Sequence, residues 1–326
     1  MLKKLSNLAI RGAKSPNKIV PFASRNINKL YFPMSIYLNS QLSLGTNVFD
    51  LDWDCLIVLD TCRPDGLNQV AHEFDFVENV GSYWSVGGDS WEWMANTFTI
   101  DYIDTIRRTG LVTSNPNAKT VIEFNLMKNH EGVDIHRRKV KRLRRYGQFK
   151  LVSATDFGYY QYLIDSYDNE FNYPTPRQVT DCAINADRNM NLDKLILHYM
   201  PPHGPYIVDD PGNDFEGPNH KPTKFADTVR SNIWQAYLDN LRWGLNEIEL
   251  LLKNISRDKV VITADHGHCF NNLLPGHISG QLNPSVREVP IVRVKACDTG
   301  EYVPQLTPNV RDNIAPEETL QALGYL

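Results

Sequence analysis

Carboxylate and imidazole side chains follow apolar runs at two distant places in this chain. The run 260–264 is followed directly by Asp265 and His266, and a second apolar run, 55–59, stops at Asp60. Ligands collect at the carboxyl ends of parallel strands, so two such strands would bring these donors to one sheet edge. Mixed oxygen and nitrogen donors bind divalent cations. Taken alone, Asp265 also fits an acidic turn after a core strand.

Histidine supplies a second group of candidate ligands. The apolar run 194–200 contains His198 and leads into a proline-rich loop with His203, while His277 trails the carboxylate motif. Six of the nine histidines lie between residues 198 and 277, an enrichment typical of metal chemistry. A satisfied histidine at a strand end is the alternative for His198. We interpret His268 as a surface group or as a support for the ligands.

The order of these motifs resembles the alkaline phosphatase and sulfatase superfamily. The resemblance rests on the strand that ends in Asp60, the 203–206 loop, the 263–267 motif and the Gly276-His277 pair. The spacing of the histidines looks like that of the phosphoethanolamine transferase branch. The Leu-Gly-Tyr segment at 323–325 is similar to sulfatase-like proteins, so the resemblance covers roughly residues 50–326.

The resemblance implies a nucleophile between the two carboxylate motifs. In this superfamily a serine or threonine oxygen bound to a divalent cation attacks phosphorus or sulfur, and it stands at a helix start. Helical spacing over 91–98 predicts a helix beginning near Ser90, where backbone N–H groups stabilise an anionic oxygen. We therefore select Ser90, with Ser85 and Thr61 as lesser candidates. The alternative role for Ser90 is an N-cap, for which Asp89 is a rival.

The resemblance also implies the ligands. The first metal would be held by Asp60, Ser90, Asp265 and His266. This mixed set suits Mn²⁺ or Zn²⁺ better than Ca²⁺ or Mg²⁺, which remain alternatives. His203 and His277, with His198 as a further member, would hold a second ion, contact the transferred group or protonate the leaving oxygen. Either one or two ions are consistent with the sequence.

A cysteine near the first carboxylate raises the question of a formylglycine residue. Sulfatases make formylglycine within a Cys-x-Pro-x-Arg core, and this chain has Gly66 where the arginine should stand. Cys62 also follows Asp60 too closely to serve as a separate nucleophile. We therefore expect Asp60 to be a ligand, Arg63 to be an anion contact and Pro64 to open a helix.

Composition indicates a folded enzyme. With 42% hydrophobic and 22% charged residues, 326 residues can bury one large core, or one core and a small insertion. Five cysteines without a CxxC pair favour a reducing, cytoplasmic location over a disulfide scaffold. No apolar run approaches the ~20 residues needed to span a bilayer. The first residues also lack the apolar core of a signal peptide.

Basic residues concentrate in two segments. Residues 1–49, the basic leader, contain no Asp or Glu. They predict a solvated or loosely docked arm, with peripheral contact on the inner membrane face as the alternative. The run 136–145 lies in a basic insertion near 126–150 and predicts a solvated helix face, with phosphate-rich ligands as the alternative. Nucleic acid is not an expected partner, because aromatic residues are not interleaved with this run.

Alternating strands and helices must position these side chains. The pattern predicts an α/β fold, and the resemblance implies an alkaline phosphatase-like three-layer sandwich with a mainly parallel central sheet and helices on both faces. Strands are expected at 55–60, 110–113, 119–124, 194–200, 260–264 and 289–294. Helices are expected at 64–72, 90–108, 174–188, 316–323 and, as one long or two shorter helices, within 225–255. The stretch 267–287 is typical of a ligand-bearing loop.

The sequence therefore predicts a catalytic domain over residues 50–326 that hydrolyses phosphate or sulfate esters through Ser90. The first alternative is a phosphoethanolamine- or phosphoglycerol-type transferase acting on a glycan or lipid. The second, from another class, is a non-catalytic protein that docks anionic partners. The substrate would be an anionic ester, with glycan- or lipid-linked forms included. Ester class, acceptor and oligomeric state are left open.

Overall fold

A seven-stranded sheet with the order β2-β7-β6-β1-β5-β3-β4 forms the centre of the protein. The computed structural model describes residues 30–130, 138–163, 174–204, 206, 233–270 and 276–305. The strands are β1 (Cys55–Leu59), β2 (Gly81–Trp84), β3 (Thr109–Thr113), β4 (Tyr159–Tyr162), β5 (Lys194–Tyr199), β6 (Arg257–Thr263) and β7 (Glu288–Ala296). The five strands from β6 to β4 run parallel, and β7 is antiparallel to β6 and β2.

Helices cover both faces of this sheet. They are α1 (30–42), α2 (Pro64–Val70), α3 (Ser90–Thr97), α4 (Ile103–Ile106), α5 (Arg138–Tyr146), α6 (Pro176–Asn189), α7 (Ile233–Leu252) and α8 (Pro284–Arg287). Short 3-10 helices occupy Val48–Asp50, Ala71–Glu73, Ile100–Tyr102 and Ala154–Asp156. No described helix is long and apolar enough to cross a membrane.

The central strand β1 shows why the sheet needs a helix layer on each side. All five of its residues are buried. Ile57 and Leu59 pack into a core that includes residues of α6 and α7, whereas Leu56 and Val58 pack into a second core with residues of α1 and α3. A strand that is buried on both faces has a continuous apolar sequence, and β1 has such a sequence. The predicted three-layer α/β fold is confirmed.

Several predicted elements differ from those observed. The run 119–124, predicted as a strand, forms a π-helical turn over Lys119–Glu123, so that prediction is wrong. Ala118, Val121 and Ile122 are all buried, and their i, i+3, i+4 spacing suits one helical face. The helix predicted over 90–108 breaks after Thr97, within a stretch of Thr and Ile residues that lowers helix propensity.

Other predictions meet the structure only in part. The segment within 225–255 is one helix, α7, over its described residues. Residues 30–42 of the basic leader form α1, which packs on the domain through Phe32 and Ile36. The predicted helix at 316–323 and residues 1–29 lie outside the described residues.

Candidate metal centre

The carboxyl ends of two paired strands bring the carboxylates together. Asp60 follows β1 directly, and Asp265 lies two residues beyond its neighbour β6. Asp60, Asp265 and His266 are buried, and each offers a ligand atom within 4.8 Å of the others. The His266 Nε2 atom lies 3.3 Å from Asp265 Oδ2 and 3.6 Å from Asp60 Oδ1. This spacing would let one ion touch all three side chains.

Two carboxylate oxygens at this place have no hydrogen-bond partner among the described residues. They are Asp60 Oδ1 and Asp265 Oδ2, and both are buried. Burying carboxylates without compensation is costly, because the low-dielectric interior does not replace their hydration. A divalent cation between them would supply that compensation. The donor set therefore fits a metal ion.

The charges at this site act on each other strongly in the metal-free protein. Burial and the nearby Asp265 raise the pKa of Asp60 to about 7. Burial also acts to raise the pKa of Asp265, but His266 and His198 outweigh it and hold that pKa below its usual range. Asp265 is therefore the carboxylate that stays ionised, while Asp60 carries the cost of the close pair.

Ser90 is the first residue of α3 and lies against this group. The helix is capped by Asp89, whose side chain accepts a hydrogen bond from the Glu92 backbone N–H at 2.9 Å. Ser90 Oγ is thus free of the capping role. It lies 3.2 Å from His266 Nε2 and 3.4 Å from Asp60 Oδ2. Its oxygen lies at the amino end of a helix, next to His266 and Asp60.

Asn115 is a site residue that the sequence analysis missed. Its amide Nδ2 donates to Asp60 Oδ2 at 2.8 Å and to Ser90 Oγ at 3.0 Å. It stands two residues after β3, so the rule that located Asp60 and Asp265 would have found it too. The signal was the predicted strand 110–113, followed by a Ser-Asn-Pro segment.

The lesser candidates for the nucleophile support Asp265 instead of facing Ser90. The Ser85 hydroxyl donates to the backbone oxygen of Asp265. The Thr61 backbone N–H donates to Asp265 Oδ1 at 3.2 Å, from a residue in the left-handed region with φ of 68°. Cys62 is fully buried in the core, and burial raises the pKa of its thiol. Arg63 donates to Asp65 and to the His268 backbone oxygen.

Three further histidines lie next to the group formed by Asp60, Asp265 and His266. The ring centroid of His277 lies 4.6 Å from that of His266 and 5.3 Å from those of His203 and His268. Burial lowers the pKa values of His203, His268 and His277, that of His268 to about 4. Neutral imidazoles keep a free nitrogen lone pair, which suits cation binding. His268, predicted as a surface group or as a support for the ligands, is half-buried, and its Nδ1 lies 3.2 Å from that of His277.

His198 occupies a different position from the other histidines. Its Nε2 atom lies 3.7 Å from Asp265 Oδ2 and has no hydrogen-bond partner among the described residues. The ring packs edge-on against Trp93 with centroids 5.5 Å apart. These contacts place it beside the carboxylate pair, on β5.

Two acidic side chains at the amino end of α3, the N-cap Asp89 and Glu92, hold the loop that carries His277. Asp89 Oδ2 accepts from the Ser279 backbone N–H at 3.0 Å and from its hydroxyl at 2.7 Å. Glu92 Oε2 accepts from the Gly280 backbone N–H at 2.9 Å. Gly280 has a φ of 81°, which favours glycine at this close approach. The helix that presents Ser90 therefore also fixes the imidazole loop.

Comparison with known proteins gives similarity in three dimensions alone. No family model and no curated protein matches the chain. The soluble domain of lipooligosaccharide phosphoethanolamine transferase A from Neisseria meningitidis is 13% identical, with a TM-score of 0.44, over 74% of this chain and 76% of that one. The match covers 46% of the integral membrane form of that protein.

Two further solved structures extend this comparison. The periplasmic domain of EcEptC from Escherichia coli, in complex with Zn, is 12% identical over 74% of this chain and 72% of that one, with a TM-score of 0.39. An alkaline phosphatase superfamily protein from Vibrio parahaemolyticus is 10% identical over 91% and 75%, with a TM-score of 0.28. At such identities and TM-scores, function has to be inferred from the site itself.

Proposed function

We propose that this protein is a metal-dependent enzyme that cleaves phosphate or sulfate esters with Ser90 as its nucleophile. The observation that carries the proposal is the position of Ser90 Oγ, 3.2 Å from His266 Nε2 and beside two buried carboxylates with unpartnered oxygens. A serine hydroxyl is a weak nucleophile until a neighbouring group or cation favours loss of its proton. Here the neighbours needed for that are already assembled.

Asp60, Asp265 and His266 would hold the cation, with Ser90 Oγ next to it. A divalent ion there would favour the ionised hydroxyl and neutralise charge on the ester oxygens. The mixed oxygen and nitrogen donors suit Mn²⁺ or Zn²⁺, with Ca²⁺ and Mg²⁺ as alternatives.

The neighbouring groups would orient the Ser90 hydroxyl and bind the transferred group. Asn115 donates to both Ser90 Oγ and Asp60 Oδ2, so it fixes the direction of the nucleophile. The backbone N–H groups of Ser90 and Trp91, in the first turn of α3, would stabilise negative charge on the transferred group. His203 and His277 have lowered pKa values, which favours binding of a second ion or of the transferred group over donation of a proton.

The bond changes follow from these positions. Ser90 Oγ forms a bond to phosphorus or sulfur while the bond from that atom to the leaving alcohol oxygen breaks, and the alcohol takes up a proton. Water then attacks the seryl ester, which releases phosphate or sulfate and restores the hydroxyl. In the alternative reaction, an acceptor alcohol replaces water and the enzyme is a phosphoethanolamine- or phosphoglycerol-type transferase.

The test uses the purified chain, stripped with a chelator and reloaded with Mn²⁺, Zn²⁺, Mg²⁺ or Ca²⁺. Aryl phosphate, phosphodiester and sulfate esters serve as substrates, with and without glycerol as an acceptor. We expect turnover that Ser90→Ala abolishes and that Ser82→Ala, a change on the edge strand β2, leaves intact. Glycerol incorporation would assign transfer over hydrolysis. Failure of every metal form on every ester, with the ion bound, would instead favour a non-catalytic binding protein.

A further inference from the structure

One helix carries most of the large hydrophobic side chains that the described residues expose. Of six such side chains, four lie on α1. They are Leu30 (71% exposed), Met34 (57%), Tyr37 (46%) and Leu42 (66%). Residues 30, 34 and 37 follow the spacing of one helical face. We call Leu30, Met34 and Tyr37 the apolar stripe of α1.

The opposite face of α1 is firmly packed. Ile36 is buried in the core shared with α3, and Phe32 is also buried. Asn39 is fully buried and donates to the Val86 backbone oxygen at 2.7 Å and to Glu92 Oε1 at 2.8 Å. The stripe is therefore a fixed surface feature, since the helix beneath it is anchored by both apolar packing and hydrogen bonds.

A basic helix, α5, contacts α1. The nine residues of α5 include six Lys or Arg and no acidic residue. The Arg142 guanidinium lies 5.0 Å from the ring centroid of Phe32, and the Gln148 backbone N–H donates to Ser40 Oγ at 3.1 Å. Side chains of α5 exposed to solvent are Arg138, Lys141 and Arg145. A helix rich in positive charge is thus held against the helix that carries the apolar stripe.

We propose that the apolar stripe of α1 and the basic face of α5 dock this protein on an anionic phospholipid surface. Apolar side chains of an interfacial helix enter the boundary between headgroups and acyl chains, while nearby Lys and Arg bind the headgroup phosphates. Residues 1–29 add seven Lys or Arg and no acidic residue directly before α1. This composition has the charge that such a surface attracts.

Charge and apolarity together select this occupant. A second copy of the chain would bring two basic helices face to face, which is repulsive. A nucleic acid would bind the basic face through its phosphates but would leave the apolar stripe of α1 exposed to water. Docking does not depend on the catalytic role of Ser90. It would hold the site near the lipid, because Asn39 of α1 contacts Glu92, two residues from Ser90.

The first experiment is flotation of the full chain with vesicles of phosphatidylcholine alone or mixed with phosphatidylglycerol. We expect binding to the mixed vesicles that weakens with salt. Partitioning should fall about tenfold or more when Leu30, Met34 and Tyr37 are all changed to serine, and also when Lys141→Ser and Arg145→Ser are combined. Matched controls are Ile100→Ser with Val303→Ser, and Lys253→Ser with Lys295→Ser, which should bind as the wild type does.

A second measurement remains informative if the multiple variants fold poorly. In a Cys297→Ser background the other four cysteines are buried. An environment-sensitive dye on Met34→Cys should shift to the blue with anionic vesicles, whereas the same dye on Val303→Cys should not. Equal binding to both kinds of vesicle, no dye shift at position 34, or a stripe variant that alters only self-association would overturn the proposal.

Discussion

Asp60 is the residue at which the need for a cation can be measured without any substrate. Burial and Asp265 raise its pKa to about 7 in the metal-free protein, well above the usual range for an aspartate. When folding raises the pKa of an acid, that acid does not affect stability at pH values below its pKa in the unfolded chain. The protein then loses stability as pH rises from the pKa of the unfolded state to the pKa of the folded state. Asp60 should therefore weaken the metal-free protein progressively between about pH 4 and pH 7.

The variant Asp60→Asn removes that ionisation. We expect metal-free Asp60→Asn to gain stability relative to the wild type as pH rises from about 4 to 7, by up to about 4 kcal/mol. Urea unfolding in the presence of a chelator at several pH values measures the difference. The exposed Asp258→Asn provides the control, and a stability difference for Asp60→Asn that stays flat with pH would contradict the assignment.

Asn115 gives a second prediction at this scale, tied to the proposed reaction. Asn115→Ala removes the amide that contacts Ser90 Oγ and Asp60 Oδ2. Because the amide orients the nucleophile, we expect kcat to fall about 10- to 100-fold with little change in KM. Steady-state kinetics on the best ester substrate test this. The exposed Asn189→Ala should match the wild type, and a change confined to KM would assign Asn115 to substrate binding.

At the scale of single elements, the central strands and the residues that follow them could be predicted from the sequence. Runs 55–59 and 260–263 correspond to β1 and β6, because strands buried on both faces leave a continuous apolar signature. The run 119–124 also holds β-branched residues, but it includes Lys119 and Glu123 and buries one helical face. The edge strands β2 and β4 have no long apolar run, so their identity depends on their partners.

The candidate site could likewise be predicted only in part from the sequence. Asp60, Asp265, His266 and Ser90 meet because their strands and helix are neighbours, which the α/β pattern implies. Asn115 escaped because Asn next to Pro is ordinary turn chemistry, and its contacts depend on β3 lying beside β5.

The amino end of α3 offers a prediction about how this element is held. Arg287 is fully buried, its guanidinium nitrogens have no hydrogen-bond partner among the described residues, and Glu92 Oε2 lies 3.7 Å away. Glu92→Gln would leave that charge uncompensated, so we expect a loss of about 3 kcal/mol. Adding Arg287→Met should restore part of it. Urea unfolding of the single and double variants measures the coupling.

A surface pair supplies the comparison for this buried one. Arg242 binds Glu73 at 2.7 Å, with both side chains partly exposed. Glu73→Gln should therefore cost less than about 1 kcal/mol. If Glu92→Gln were equally mild, Glu92 would not be the group that compensates Arg287.

For the whole molecule, the central strands make the site a part of the fold. β1 and β6 pair with each other in the middle of the sheet and contribute to the cores on both faces. The carboxylates that follow them are thus positioned by the same packing that stabilises the protein. An ion that binds only the folded chain must then stabilise all of it.

This linkage gives a prediction that needs no knowledge of the substrate. Zn²⁺ or Mn²⁺ added to chelator-treated protein should raise the unfolding temperature, by the equivalent of about 2.7 kcal/mol at a free concentration 100 times Kd. Asp265→Asn keeps the side-chain shape but removes the ionised carboxylate, so its response should be nearly lost, while Asp258→Asn should respond fully. Thermal unfolding across a metal titration measures both. An equal response in Asp265→Asn would place the stabilising ion elsewhere.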